Sequence, residues 1–326
     1  MRRWGAAVAV LISVPVGVLA TAGFAMPPRV RVDAATTPAA QPGQNAQGDA
    51  PSSSARSVSA SDESMTTAVD RAFMRLYGYD FAGAHAVLDE AALASPDDPL
   101  VHAVRGAAWL FGEFDRLKIL ELNFFADDER VTDRRLKPDQ GTREKLFDAT
   151  AKARRLALAR LQRAPGDAHA MFALCTAAGV ETDYVALVEK RYFRSYSLSK
   201  ESQAYARKLL AMEPPVYDAY LTLGSVEYVV GNLNFFFRLF VRFEGIEGSK
   251  RKAIDLLGKV AESGRYYRPF AKVLLAAIYF REKQPREALA LLQDLQRQFP
   301  GNMLVRREIG RVTEVIADME KRARRR

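Results

Sequence analysis

Three histidines, a single cysteine and one acidic run are the side chains in this sequence whose types could carry out chemistry. A metal centre of the zinc type needs several His, Cys or carboxylate ligands at close spacing. His85, His102 and His169 stand on separate predicted helices, and none has a second His, a Cys or paired carboxylates at that spacing. Each reads as a solvated or capping histidine. Cys175, in "HAMFALCTAAGV", reads as a small core residue, and a lone cysteine forms no internal disulfide. The run Asp127, Asp128, Glu129 offers oxygen ligands but lacks the glycine and the order of a calcium loop, so it reads as a solvated loop. "GSKRKAI", from Gly248, lacks the upstream glycine of a phosphate loop, and no serine sits in a nucleophile elbow. The expectation is a protein that is not an enzyme and holds no cofactor or metal.

Two stretches could instead recognise a partner. "EKRYFRSYSLSK", Glu189 to Lys200, interleaves cations with Tyr192, Phe193 and Tyr196. "NLNFFFRLFVRFEGIEG", Asn232 to Gly248, has five phenylalanines between Phe235 and Phe243. Treated as a helix, that run puts Arg238 and Arg242 on one strip and apolar side chains around the rest. Three environments accept it: the core, a membrane surface with the arginines toward headgroups, or a protein partner. Burying one phenylalanine is worth about 1.5–3 kcal/mol, so five exposed ones would forfeit about 7–15 kcal/mol, which favours the core. The candidate partner-binding residues are Tyr192, Phe193, Arg194, Phe236, Arg238, Phe240, Arg242 and Phe243.

The elements that must position these residues are helical. The chain has 326 residues, 48% of them hydrophobic and 27% charged, enough for a sizeable core in one elongated or two compact domains. Its 48 Lys and Arg outnumber 39 Asp and Glu, a net +9 that could favour anionic partners, but the two signs are mixed along most of the chain. Residues 1–26 combine Arg2 and Arg3 with the uncharged run Gly5 to Ala25, the order of an export signal or an uncleaved membrane anchor. Either places the remainder outside the cytoplasm. An export address also disfavours nucleic acid as a partner. Residues 27–60, rich in Ala, Pro, Ser and Gln, are expected to be a flexible tether.

Beyond the tether, "FAKVLLAAIYFREKQPREALALLQDLQRQFPGN" reads as two amphipathic helices broken at Gln284 and Pro285. Leu275, Ala276 and Tyr279 share one face of the first, and Ala288, Leu292 and Leu295 one face of the second, with Pro300 after it. Small residues suit close helix crossings and large ones fill the adjoining grooves. The intervals return at Ala84, Leu88, Ala91 and Pro96, and more loosely at Ala153, Ala157 and Pro165. A fourth copy of the first helix carries Tyr220, Leu223, Gly224, Tyr228 and Gly231.

This pattern resembles the tetratricopeptide repeat, a helix pair of about 34 residues, over roughly Asp62 to Asn302. The resemblance implies an all-α fold in which antiparallel helix pairs stack as a right-handed superhelix. It covers residues 61–302, interrupted by insertions near 114–144, 182–197 and 232–248. Two insertions share a signature, "ELNFFADDER" and "NLNFFFRLF", which hints at duplication of a larger unit. Residues 303–326 are expected to form a C-terminal capping helix with a basic tail. The functional expectation is a non-catalytic scaffold of the bacterial cell envelope that binds another envelope protein or peptide in the repeat groove. The alternative is a lipid or membrane-surface binding module that uses residues 235–243.

Overall fold

A computed structural model describes residues 68–126, 136–232 and 247–325. Among them the protein is all-α, with no strand. The helices are α1 (residues 68–77), α2 (Phe81–Ala94), α3 (Pro99–Arg116), α4 (Leu122–Ala126), α5 (Gln140–Arg163) and α6 (Ala168–Asp183). They continue as α7 (Tyr192–Leu210), α8 (Tyr220–Gly231), α9 (Lys250–Ser263), α10 (Arg268–Arg281), α11 (Pro285–Gln298) and α12 (Met303–Arg324). Apart from the short α4, each of these from α2 onward packs against the next in the chain. Most links are short, which makes successive helices antiparallel neighbours.

Two kinds of turn recur, and their chemistry explains where the helices stop. After α2, α5 and α11 the chain passes through Ser95-Pro96-Asp97-Asp98, Ala164-Pro165-Gly166-Asp167 and Phe299-Pro300-Gly301-Asn302. In each, the fourth residue donates its backbone N–H to the carbonyl of the first, at 3.2, 3.0 and 3.0 Å. The same fourth residue then caps the next helix, its side chain accepting from Leu100, Ala170 and Val305 at 2.8, 2.9 and 3.0 Å. Proline cannot continue a helix, and Asp or Asn satisfies a free N–H at the start of the next one. The second kind ends α1, α3 and α10 with a residue in the left-handed region, Tyr79, Lys118 and Lys283 (φ 66°, 61° and 66°). The N–H of the following residue, Asp80, Ile119 or Gln284, reaches back to the carbonyl five residues earlier, at 2.9, 2.8 and 2.8 Å.

The interruption expected over 182–197 is largely helical. α6 runs on through a π turn, Tyr184–Val188, whose Tyr184, Val185 and Val188 are buried, and only Glu189 to Arg191 separate it from α7. The run Ala168–Val188 has the length and apolar content to cross a membrane, yet 72% of its most apolar stretch is buried inside the protein as core.

An open stack of repeats brings only neighbours together. Here the first and last helices also touch. Asn302 donates from Nδ2 to the Tyr77 carbonyl at 2.8 Å, and the Tyr77 hydroxyl donates to the Tyr266 carbonyl at 2.9 Å. Phe73 packs against Tyr77, Tyr266 and Tyr267, Tyr77 against Phe299, and Phe172 of α6 against both Tyr266 and Tyr267. Each such ring pair adds about 0.5–1.5 kcal/mol beyond the area it buries. The link that carries the two tyrosines is fixed by the buried Asp218, whose carboxylate accepts the N–H groups of Arg265, Tyr266 and Tyr267 at 2.8, 2.8 and 2.6 Å. α4 makes a second tie: Leu122 joins the cluster of Ala276, Leu292 and Val305, Arg281 donates to the Phe125 carbonyl at 2.6 Å, and Arg307 pairs with Glu121 at 3.1 Å.

Candidate functional site

The site is built where the chain leaves α8 for residues 233–246 and returns to α9. Glu227, on the last turns of α8 and only 5% exposed, turns its carboxylate onto the returning backbone. It accepts the N–H groups of Glu247, Gly248 and Ser249 at 3.4, 2.8 and 3.1 Å, and Lys252 Nζ lies 2.9 Å away. Burial pushes this carboxyl upward, but Lys252 and the N–H donors outweigh it and hold the group below its usual value. The two ends meet closely. A Cβ on Gly231 would sit 2.8 Å from the Gly248 oxygen, and Gly248 itself takes a φ of 65° that favours glycine. Tyr228 and Lys250 both bond Glu282 at the end of α10, at 3.2 and 2.7 Å, which steadies the same neck from the other side.

α7 begins beside this neck. Val230 is buried under Tyr196 and Val226. Of the candidate residues on α7, Tyr192 is half-buried, whereas Phe193 and Arg194 are exposed, Phe193 at 66%. Phe236, Arg238, Phe240, Arg242 and Phe243 lie outside the described residues, and so does the acidic run 127–129.

A second neck repeats the first. Glu113, on α3 and 1% exposed, accepts the N–H of Asp139 at 2.8 Å, while Arg116 donates two bonds of 2.7 Å to the carboxylate and one of 2.5 Å to the Lys137 carbonyl. Asp139 caps α5 as Ser249 caps α9. In both necks, then, a buried glutamate on one helix binds the capping residue of its partner helix, across an insertion that carries Leu-Asn-Phe-Phe. The sequence reading passed over both glutamates. Their signal is a lone acid among apolar neighbours, in "WLFGEF" and "GSVEYVV", shortly before the shared signature.

The residues that form the repeat intervals occupy inward positions. Ala84, Leu88, Ala91, Leu275, Ala276, Ala288, Leu292 and Leu295 are buried, Tyr279 packs at the edge of the core, and Pro96 and Pro300 stand in the recurring turns. Gly224 lets α8 approach α9, since a Cβ there would meet Leu257 Cγ at 3.0 Å.

The remaining reactive side chains are held by structure. His169 Nε2 lies 2.8 Å from Asp98 Oδ1, a pairing across 71 residues that spacing alone did not reveal. Burial opposes the charge of Asp98, but His169 and the backbone N–H of Leu100 keep its carboxyl low. His102 bonds the Pro96 carbonyl at 3.0 Å, and His85 packs on Trp109. Cys175 sits in a seam of small polar groups, 3.6 Å from Ser202 Oγ and 3.5 Å from Thr222 Oγ1, and burial pushes its thiol up, away from the reactive thiolate. Among the described residues no three His, Cys, Asp or Glu gather as a metal site.

No protein-family model, curated protein or solved structure matches the chain.

Proposed function

We propose that this chain is a non-catalytic scaffold of the tetratricopeptide type, exported to the cell envelope, which holds another protein there. The observation that carries the reading is the recurrence of the two turns. A Pro-x-Asp/Asn turn follows α2, α5 and α11, and a left-handed residue closes α1, α3 and α10. Repetition of the same hydrogen bonds at these intervals supports a chain built from repeated helix pairs. Residues 1–26 would direct export or anchor the chain, and 27–60 would space the folded part from the membrane.

In a stack of this type the ties between α1 and α10–α12 would occupy part of the inner surface with the protein's own aromatic rings, so a partner engages what they leave open. A groove of about 640 Å³ lies between α1 and α2, with Met74, Ala86 and Val87 against Asp70, Arg71, Arg75 and Glu90. Met74 is 55% exposed there. An apolar floor with charges of both signs along its rim suits an amphipathic helix of a partner. Cross-linking and capture from intact envelopes should enrich one consistent protein, and Met74→Glu with Val87→Glu should abolish the enrichment while the helical content stays unchanged. Failure to enrich any protein reproducibly would sink the reading.

A further inference from the structure

We propose that the outward face of α7 is a docking surface for an anionic lipid bilayer, a contact that rests on neither the scaffold reading nor residues 1–26. The exposed residues of α7 are Phe193, Arg194, Ser197, Lys200, Ala204, Arg207 and Lys208. At 100° per residue they fall within an arc of about 140°, and from Phe193 to Lys208 the face is about 22 Å long. It carries four cations and no exposed acid. The acid nearest its edge, Glu201, is taken up by Arg154 of α5, which also pairs with Glu181. Tyr196 and Tyr205 flank the face, with the ammonium groups of Lys200 and Lys208 over their rings at 4.9 and 5.4 Å. At its first turn stands Phe193, 66% exposed, and the nearby α8 presents Val229 at 60%.

These features match a bilayer better than a protein. The face lies along one helix, and a plane can receive it without a shaped pocket. Charge complementarity identifies the plane: cations spread along one face are drawn to anionic headgroups, and each Lys or Arg near such a surface adds about a factor of five in affinity. The tyrosine rings have the amphipathic form that settles at headgroup depth, and the exposed Phe193 offers an apolar side chain to the acyl boundary.

The test uses the full chain with Phe193→Cys carrying a polarity-sensitive dye; Cys175 is buried and should stay unlabelled, with the unsubstituted chain as control. Vesicles containing one-third phosphatidylglycerol should shift the dye emission to the blue, reversibly with salt, and vesicles of phosphatidylcholine alone should not. Combining Arg194→Gln, Arg207→Gln and Lys208→Gln should remove the shift and weaken the contact roughly 100-fold. Because residues 1–26 are the same in the parent and the triple variant, their own membrane affinity does not produce the loss that the substitutions should cause. An emission that is identical with both vesicles, or a shift that survives the triple substitution, would overturn the proposal. A shift with soluble polyglutamate but not with anionic vesicles would overturn it in favour of an acidic protein.

Discussion

The necks at Glu113 and Glu227 do the same job with different counter-cations. Glu113 is neutralised by Arg116, three residues along its own helix, and accepts one N–H from the returning chain. Glu227 takes its cation, Lys252, from the partner helix and accepts three N–H groups. The first arrangement closes a loop. The second also draws its cation across from the partner helix, and it does so where α8 has only 12 residues against 18 in α3.

The largest expected effect follows from that difference. Glu227→Ala leaves several N–H donors without their acceptor and should cost about 3 kcal/mol in urea denaturation, and Glu113→Ala about 2 kcal/mol. The reverse order would break the comparison. The pH dependence sharpens it. Because the Glu227 carboxyl is held low in the folded state, its contribution is complete above the ordinary glutamate range near 4.5 and disappears as pH falls through the lowered value. Glu227→Gln should remove that part of the acid-induced loss of stability.

Glycines test the close approach at the Glu227 neck. Gly231→Ala drives a Cβ into the Gly248 backbone and should destabilise by about 1–2 kcal/mol. Gly112→Ala, on the α3 side, meets nothing within 4 Å and should stabilise by about 0.5–1 kcal/mol through helix propensity alone. Thermal unfolding of the two variants should therefore shift in opposite directions.

Asp183 supplies the contrasting case of a carboxyl without a clasp. It is half-buried, has no hydrogen-bond or ion-pair partner among the described residues, and burial pushes it up to about 7. Its raised value means that the folded state loses stability as pH rises from about 4 to 7. Asp183→Asn should leave stability at pH 4 unchanged and raise it at pH 8. The smallest effect is expected at the left-handed turn ending α10, where Lys283→Gly relieves an unfavourable φ and should add less than about 1 kcal/mol.

Helix positions were legible in the sequence because they depend on local rules. The break near Gln284 and Pro285, the small-residue faces of α2 and α11, and the start of α12 after Asn302 follow from propensity and spacing. The recurring turns were half legible. Pro96, Pro165 and Pro300 announced them, but Tyr79, Lys118 and Lys283 occupy conformations that only a glycine would have advertised. Contacts across the chain left no local trace. Glu113 and Glu227 each look like any helical acid until the partner helix arrives, and the meeting of Tyr77 with Asn302 joins residues 225 apart. The same holds for the surface. Nothing in "YFRSYSLSKESQAYARK" says that Ser195, Ser199 and Ser202 face inward while the cations face out; the small polar seam along α6 decides it.

Hydrogen exchange on the full chain tests the equivalence of the two clasps most directly. With Glu227→Gln, the amides of Gly248 and Ser249 should exchange at least tenfold faster while Asp139 stays protected, and Glu113→Gln should do the converse. Protection at Gly248, Ser249 and Asp139 that is unchanged in both variants would contradict the account.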